Sequence, residues 1–250
     1  MSGTANGWFH HKREREQAEL RMFCFPYAGG SALLFNKWEM SLPPAVQVIP
    51  VELPGRGARL QQSPYVSLPS LLDDLEPAIL PMLDKPFVFF GHSMGAIIAF
   101  ELARSLRKKY GHQALSVIAS GRRAPQVPKS EPDTYHLPHE EFIAELTKLE
   151  GTPKEVIANA ELMEFMIPLL RADFQLVQTY EYSPAAPLEC PITVFGGLQD
   201  RYVTLDKLSP WKDQTTSKYS LHMLPGDHFF LRSSQTQLLR LLTRELCDLL

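Results

Sequence analysis

The stretch FVFFGHSMGAIIAF, residues 87–100, places a serine between two glycines at the end of an apolar run. The run FVFF suits a buried strand, and MGAIIAFELARSLRKKYG after it has the apolar spacing of a helix. G-x-S-x-G between a strand and a helix is the nucleophile elbow, a strained turn that lifts the serine hydroxyl clear of the sheet. We therefore predict that Ser93 is a nucleophile. Gly91 and Gly95 are expected where the strand and helix backbones come close.

A serine hydroxyl is a poor nucleophile by itself and needs a base, which in turn needs an acid to orient it. In folds with this elbow the acid and then the histidine follow the serine along the chain. Asp200 comes in a loop directly after the apolar run CPITVFGG, and His228 follows the shorter run LHML. The order and the loop positions together predict a catalytic triad of Ser93, Asp200 and His228.

Other histidines and aspartates fit the triad less well. His222 lies inside a strand-like run, and His92 fills the free position of GHSMG, which favours a packing role. Three histidines precede the predicted acid and are interpreted as surface residues: His112, His136 and His139. Three aspartates lie farther from the strand end than Asp200 or directly beside His228: Asp206, Asp213 and Asp227. The adjacent aspartate is better suited to a turn.

Acyl transfer through a serine also requires N–H donors for the developing oxyanion. One donor should be the N–H of Met94, the residue after the nucleophile. The second should come from the glycine-bearing loop FPYAGG, residues 25–30, which follows the first predicted strand. Pro26 has no N–H to donate, so the candidates are Tyr27 and Ala28. We predict an oxyanion hole formed by Ala28 and Met94.

Short apolar runs alternate with helical patterns along the whole chain, which predicts an α/β fold with a mostly parallel sheet flanked by helices. Residues 1–20 form a polar N-terminal extension, and residues 21–250 form a single domain. Within it, the interval of about 122–188 carries more apolar residues than one buried stripe needs. We predict that this interval is a helical lid over a binding cleft, the alternative being an extra layer of the core.

Two local signals in the lid interval concern its long helical segment, GTPKEVIANAELMEFMIPLLRADFQLVQTY, residues 151–180. Thr152 and Glu155 have the spacing of a capping box, and Pro153 suits the first helical position. Pro168 lies farther along, where a proline should kink or end a helix.

Composition narrows the classes of partner. The chain has 250 residues and a net charge of −3, which does not suggest binding to nucleic acid or to an anionic membrane. The three cysteines are scattered, so neither disulfides nor a zinc site is expected, and the pair His10 and His11 lacks further ligands for a metal. The N-terminus lacks the apolar stretch of a signal peptide, and no run is long enough for a membrane helix. These observations predict a cytoplasmic protein.

The motifs FCFPYAGGSA, LPGR, FFGHSMGA, GGLQD and LPGDHFFL, in this order, resemble those of the type II thioesterases, a branch of the α/β-hydrolase superfamily. The resemblance runs from the first predicted strand to the C-terminus. It puts Ser93, Asp200 and His228 at the triad positions, and Ala28 and Met94 at the oxyanion positions.

The resemblance implies an activity that the residues alone do not name. Type II thioesterases hydrolyse acyl groups from the phosphopantetheine arm of carrier proteins, and so clear misprimed or stalled modules of nonribosomal peptide and polyketide synthases or release products. The implied partners are acyl or peptidyl carrier proteins, and no cofactor or metal is expected in the enzyme. A mobile helical cap of the family coincides with the predicted lid. A single hydrolase domain of this size is expected to be a monomer.

A serine triad suits oxygen esters and amides as well as thioesters, so two other functions stay open at this point. The first is a carboxylesterase or lipase-like hydrolase of small oxygen esters, which would gain nothing from a carrier protein. The second is a non-catalytic docking protein that keeps the fold, against which the complete set of triad and oxyanion residues argues.

Overall fold

Six parallel strands form one sheet in the order β2-β1-β3-β4-β5-β6. The computed structural model describes residues 7–9, 15–149 and 159–250. The strands of this part are β1 (Leu20–Phe25), β2 (Val46–Pro50), β3 (Phe87–His92), β4 (Ser116–Ser120), β5 (Ile192–Gly197) and β6 (Tyr219–Leu224). Each of the first five is buried along its full length, as expected for parallel strands covered on both faces. The predicted α/β class is confirmed.

Helices cover both faces of the sheet. In the described residues they are α1 (Leu68–Ile79), α2 (Met94–Tyr110), α3 (His139–Lys148), α4 (Ala160–Gln178), α5 (Leu205–Leu208), α6 (Phe230–Ser233) and α7 (Gln235–Cys247). One apolar cluster joins α1 and α2 to the sheet, and a second cluster joins α7 to it. α2 ends at Gly111, whose φ of 71° is the left-handed conformation that favours glycine at this position. No helix in the described ranges combines the length and apolar character needed to cross a bilayer.

α3 and α4 lie between β4 and β5, within the interval predicted to be a lid. They form a separate apolar cluster, whose buried members are Phe142, Leu146, Met163, Ile167 and Leu170. The capping box predicted at residues 152 and 155 lies outside the described residues. α4 begins at Ala160, and the Asn159 side chain accepts a hydrogen bond of 3.1 Å from the Leu162 N–H.

α4 does not end at Pro168 but continues to Gln178. A proline inside a helix removes one backbone hydrogen bond, and its ring crowds the preceding turn. Tertiary contacts on both sides of it offset that cost: Ile167 and Leu170 belong to the apolar cluster, and Asp173 forms a buried ion pair. Of the two predicted effects, the end of a helix at Pro168 is wrong, because the local sequence does not show these contacts, while a kink stays a prediction.

The described part of the predicted N-terminal extension packs against the domain. Trp8 is buried in the large apolar cluster, and the Arg59 guanidinium lies 3.7 Å from the centre of its ring. Phe9 pairs with Val51 at the end of β2 in an isolated antiparallel bridge. Although residues 1–20 are mostly polar, two aromatic residues among them, Trp8 and Phe9, therefore contact the domain.

Candidate active site

Ser93 occupies a strained turn between β3 and α2. Its φ of 54° and ψ of −109° make it the one non-glycine residue with positive φ in the described ranges. A Cβ on Gly91 would lie 2.0 Å from the Gly95 carbonyl oxygen, and a Cβ on Gly95 would lie 2.1 Å from that of Phe25. Both glycines are therefore required by backbone approach, as the motif predicts. Packing around the turn keeps the serine in a conformation that costs about 1–3 kcal/mol.

The three side chains predicted to form a triad meet in one hydrogen-bonded chain. His228 Nε2 lies 3.0 Å from Ser93 Oγ, and His228 Nδ1 lies 2.7 Å from Asp200 Oδ2. Ser93 follows β3, Asp200 follows β5 and His228 follows β6, so all three come from the carboxyl ends of parallel strands. That edge is where open α/β sheets form their binding sites. The arrangement lets the imidazole accept the serine proton while the carboxylate holds it in place.

Asp200 is fixed and ionised by its surroundings. Its side chain is fully buried, and Oδ1 accepts hydrogen bonds from the Tyr202 N–H at 2.9 Å and the Val203 N–H at 3.0 Å. Burial alone would raise the pKa of this carboxyl, but the hydrogen bond and charge of His228 and these two N–H groups hold the pKa below its usual value. The carboxylate therefore stays charged beside the imidazole.

His92, interpreted from sequence as a packing residue, is fully buried and also holds the loop of His228. Its Nε2 lies 2.9 Å from the His228 carbonyl oxygen, and its Nδ1 lies 2.9 Å from Ser120 Oγ. A carbonyl only accepts, so Nε2 carries the proton and Nδ1 accepts from the serine hydroxyl. Burial first, and then the nearby charge of His228, lowers the pKa of His92 well below 6.5. His92 is thus neutral, and its two hydrogen bonds join β3 to β4 and to the backbone of the triad histidine.

Replacing His92 with phenylalanine should lower kcat roughly tenfold and destabilise the fold by about 1–3 kcal/mol, because it leaves the His228 carbonyl and the Ser120 hydroxyl unpaired in the interior. Urea unfolding and steady-state kinetics measure the two effects. His222→Phe is the matched control, since His222 pairs with Glu245 away from the triad. An unchanged kcat in His92→Phe would show that this histidine only fills space.

Three backbone N–H groups are candidates for stabilising negative charge near Ser93. Met94 is the first residue of α2, and the first N–H groups of a helix have no partner within the helix. No described residue accepts a hydrogen bond from the N–H of Ala28, which lines the same cavity as Ser93. The N–H of Tyr27 is likewise without an acceptor in those ranges, so the geometry leaves both candidates of the loop open.

A cavity of about 500 Å³ lies above the triad. One wall is apolar and comes mainly from the predicted lid: Leu146, Leu149, Met166, Leu170, Phe174 and Val177. The other wall is mainly basic, with Arg122, Arg123, Lys129 and Arg232, and includes one carboxylate, Glu131, which lies 3.8 Å from the Arg123 guanidinium. Apolar walls suit an acyl chain, and the basic wall suits an anionic group on the same substrate.

Arg122 is a feature of the site that the sequence analysis missed. Its guanidinium forms no hydrogen bond or ion pair with any residue in the described ranges, and burial lowers its pKa to about 9. Arg232 similarly has no carboxylate partner there and donates to the Tyr27 hydroxyl. The signal was present in SGRRAP, where two arginines stand at the end of β4 beside the strand of the nucleophile.

The remaining sequence-predicted chemistry concerns metals and rival triad residues. Within residues 7–9, 15–149 and 159–250, no group of three or more histidine, cysteine or carboxylate side chains could hold a metal ion. Residues 10 and 11 lie outside these ranges. Cys24 is buried in β1, and burial raises the pKa of its thiol. Asp227 caps a turn through the Phe229 N–H and does not contact the imidazole of His228 in the manner of Asp200.

Comparisons with known proteins agree with this geometry. A family model described as a thioesterase domain matches residues 20–246. The gramicidin S biosynthesis protein GrsT of Aneurinibacillus migulanus is 42% identical over 241 residues, which are 96% of this chain and 94% of that protein. The structure of ClbQ from the colibactin NRPS/PKS pathway matches with a TM-score of 0.88 and 31% identity, over 93% of this chain and 98% of that one.

A further solved structure is that of BorB, a type II thioesterase from the borrelidin biosynthetic cluster, with a TM-score of 0.84 and 29% identity over 98% of this chain and 97% of that one. The serine elbow, the position of the hydrogen-bonded triad and the match along nearly the whole chain have one explanation. The chain belongs to the thioesterase family and is similar to its type II members.

Proposed function

We propose that this thioesterase hydrolyses acyl groups from the phosphopantetheine arm of carrier proteins in nonribosomal peptide or polyketide synthesis. The observation that carries the proposal is the chain Ser93–His228–Asp200, with contacts of 3.0 and 2.7 Å, beneath a cavity that has an apolar and a basic wall. The names of the relatives, among them a gramicidin S biosynthesis protein and a type II thioesterase, support the substrate class.

The mechanism we propose uses only groups of this chain, the acyl thioester and water. His228 Nε2 takes the proton of Ser93 as Oγ attacks the thioester carbonyl carbon, and the N–H groups of Ala28 and Met94 stabilise the oxyanion. The carbon–sulfur bond then breaks, His228 gives its proton to the departing thiolate, and the acyl group remains on Ser93. A water molecule, deprotonated by the same imidazole, then attacks the acyl carbon, the bond to Ser93 Oγ breaks, and the imidazolium returns its proton to Oγ as the carboxylic acid leaves. Asp200 stays ionised and stabilises the imidazolium throughout.

The basic wall supports a substrate that carries negative charge. A phosphopantetheine arm carries a phosphodiester at the end opposite the thioester, and Arg122 and Arg232, which have no carboxylate partner among the described residues, contribute a positive potential that attracts an anionic substrate. The apolar wall from α3 and α4 would cover the acyl chain. We propose that these helices act as a movable lid and that the enzyme works as a monomer without a bound cofactor.

A rate comparison tests the substrate class. The same acetyl or aminoacyl group is presented on a phosphopantetheinylated carrier protein, on a small thiol and as a nitrophenyl ester. We expect kcat/KM to be at least about tenfold higher with the carrier protein, because contacts outside the reacting bond contribute binding energy to the transition state. Equal or faster turnover of the nitrophenyl ester would favour the carboxylesterase alternative and contradict the proposal.

A further inference from the structure

A buried ion pair joins the predicted lid to the loop that follows β2, and both of its members also contact the loop that follows β1. Asp173 lies on α4, and its carboxylate accepts two hydrogen bonds of 2.7 Å from the Arg56 guanidinium, one on each oxygen. The side chains are only 5% exposed for Arg56 and 3% for Asp173. A charge pair removed from water to this extent is costly, and well-packed apolar residues often give equal or greater stability. Its presence therefore calls for a role besides stability.

The partners of the pair indicate that role. Asp173 Oδ2 also accepts the Gly29 N–H at 2.7 Å, while Arg56 donates to the Gly30 carbonyl oxygen at 3.1 Å. The ion pair is thus hydrogen-bonded to two consecutive residues of the loop, Gly29 and Gly30, which directly follow Ala28. A third contact, from Arg56 Nε to the Pro54 carbonyl oxygen at 3.2 Å, fixes the guanidinium itself.

α4 also packs closely against the same loop. Gly29 has a φ of 75°, and a Cβ there would lie 2.6 Å from Leu170 of α4. The Gly30 N–H closes a tight turn onto the Tyr27 carbonyl at 2.8 Å. Ala28 lies between Tyr27 and Gly29, and its N–H has no acceptor among the described residues. The direction of that N–H is consequently set by the contacts of Gly29 and Gly30 with Asp173 and Arg56.

We propose that Asp173 and Arg56 are positioning residues, which hold the Ala28 N–H toward the oxyanion that forms at Ser93. The inference rests on the proposed serine mechanism, but not on the identity of the acyl carrier. It links the lid helix to catalysis: the part of α4 around Asp173 must be seated on the loop for the oxyanion hole to be complete.

The test compares Asp173→Leu, Asp173→Asn and the double variant Arg56→Met/Asp173→Leu. Loss of one oxyanion donor costs about 10²–10³ in kcat, so a misplaced donor should cost roughly 10- to 100-fold. We expect that loss in Asp173→Leu with KM changed by less than about threefold. Asp173→Asn should lose less, because its amide oxygen still accepts the Gly29 N–H. The substrate is a nitrophenyl ester, so the result does not depend on any preference for carrier proteins.

The double variant separates positioning from stability. Removing both buried charges should restore much of the thermal stability that Asp173→Leu loses by leaving Arg56 unpaired. It does not restore an acceptor for the Gly29 N–H, so kcat should stay low. The affinity for an alkylboronic acid, whose tetrahedral adduct on Ser93 places an oxygen in the oxyanion hole, should fall by the same factor as kcat.

Glu101→Gln provides the control, since Glu101 forms a largely buried ion pair with Arg104 on α2, away from the loop. That variant should lose stability with kcat nearly unchanged. Recovery of kcat together with stability in the double variant would overturn the proposal, as would an unchanged boronic acid affinity. A failure of the proposed substrate class would instead appear as indifference to the carrier protein, with these kinetic differences intact.

Discussion

Replacing Ser93 with alanine is expected to lower kcat for acyl thioester hydrolysis by roughly 10⁵- to 10⁶-fold. The substitution removes the oxygen that lies 3.0 Å from His228 Nε2 and keeps the Cβ at the elbow. Without it the imidazole has no nucleophile to activate, and only direct attack by water remains. Alanine has a Cβ like serine, so it takes over the positive φ at a similar conformational cost, and folding should be retained.

The measurement is steady-state hydrolysis with circular dichroism as the folding check. Ser67→Ala is the matched control, because Ser67 lies directly before α1 and its hydroxyl hydrogen-bonds only the Ser70 hydroxyl among the described residues. Its kcat should equal that of the wild type. Retained turnover in Ser93→Ala would point to another nucleophile, or to a docking protein with adventitious activity.

Asp200→Asn is expected to lower kcat by roughly 10⁴-fold with a much smaller change in KM. Oδ1 of Asp200 accepts from the N–H groups of Tyr202 and Val203, so the oxygen of asparagine must take that place. The amide NH₂ then faces His228 Nδ1, which can only accept from it. The proton moves to Nε2, and the imidazole can no longer take the proton of Ser93.

The control for this second substitution is Asp206→Asn. Asp206 lies on α5, shortly after Asp200 in the chain, and does not hydrogen-bond His228. It should leave kcat within about twofold of the wild type. Comparable losses in the two variants would mean that Asp200 acts through general electrostatics or stability. A loss in Asp200→Asn of less than tenfold would contradict its assignment as the acid that orients the imidazole.

The sheet and the meeting of the three triad side chains followed from local sequence signals. Each of Ser93, Asp200 and His228 comes just after an apolar run, and runs that become parallel strands end at one edge of a sheet. GHSMG also indicated the close packing of β3, β1 and α2, because a Cβ at Gly91 or Gly95 would collide with neighbouring backbone. The apolar runs and the catalytic motif indicate the same positions, so the sequence alone predicted this part of the site.

Long-range partners were not visible in the sequence. Arg56 and Asp173 are separated by 117 positions, and each alone reads as a surface charge. The dual role of His92 depends on the His228 carbonyl, 136 positions away. The continuation of α4 through Pro168 depends on packing against α3. Composition and periodicity describe the environment of a residue, whereas these features depend on which distant residue shares that environment.

The central claim is that the acyl group passes through Ser93. Rapid quenching of the enzyme during the first turnover of an isotopically labelled acyl thioester, followed by peptide mass spectrometry, tests it directly. We predict that the peptide containing Ser93 carries the mass of the acyl group, and that Ser93→Ala carries none. A label on any other residue, or full single-turnover hydrolysis by Ser93→Ala, would contradict the account.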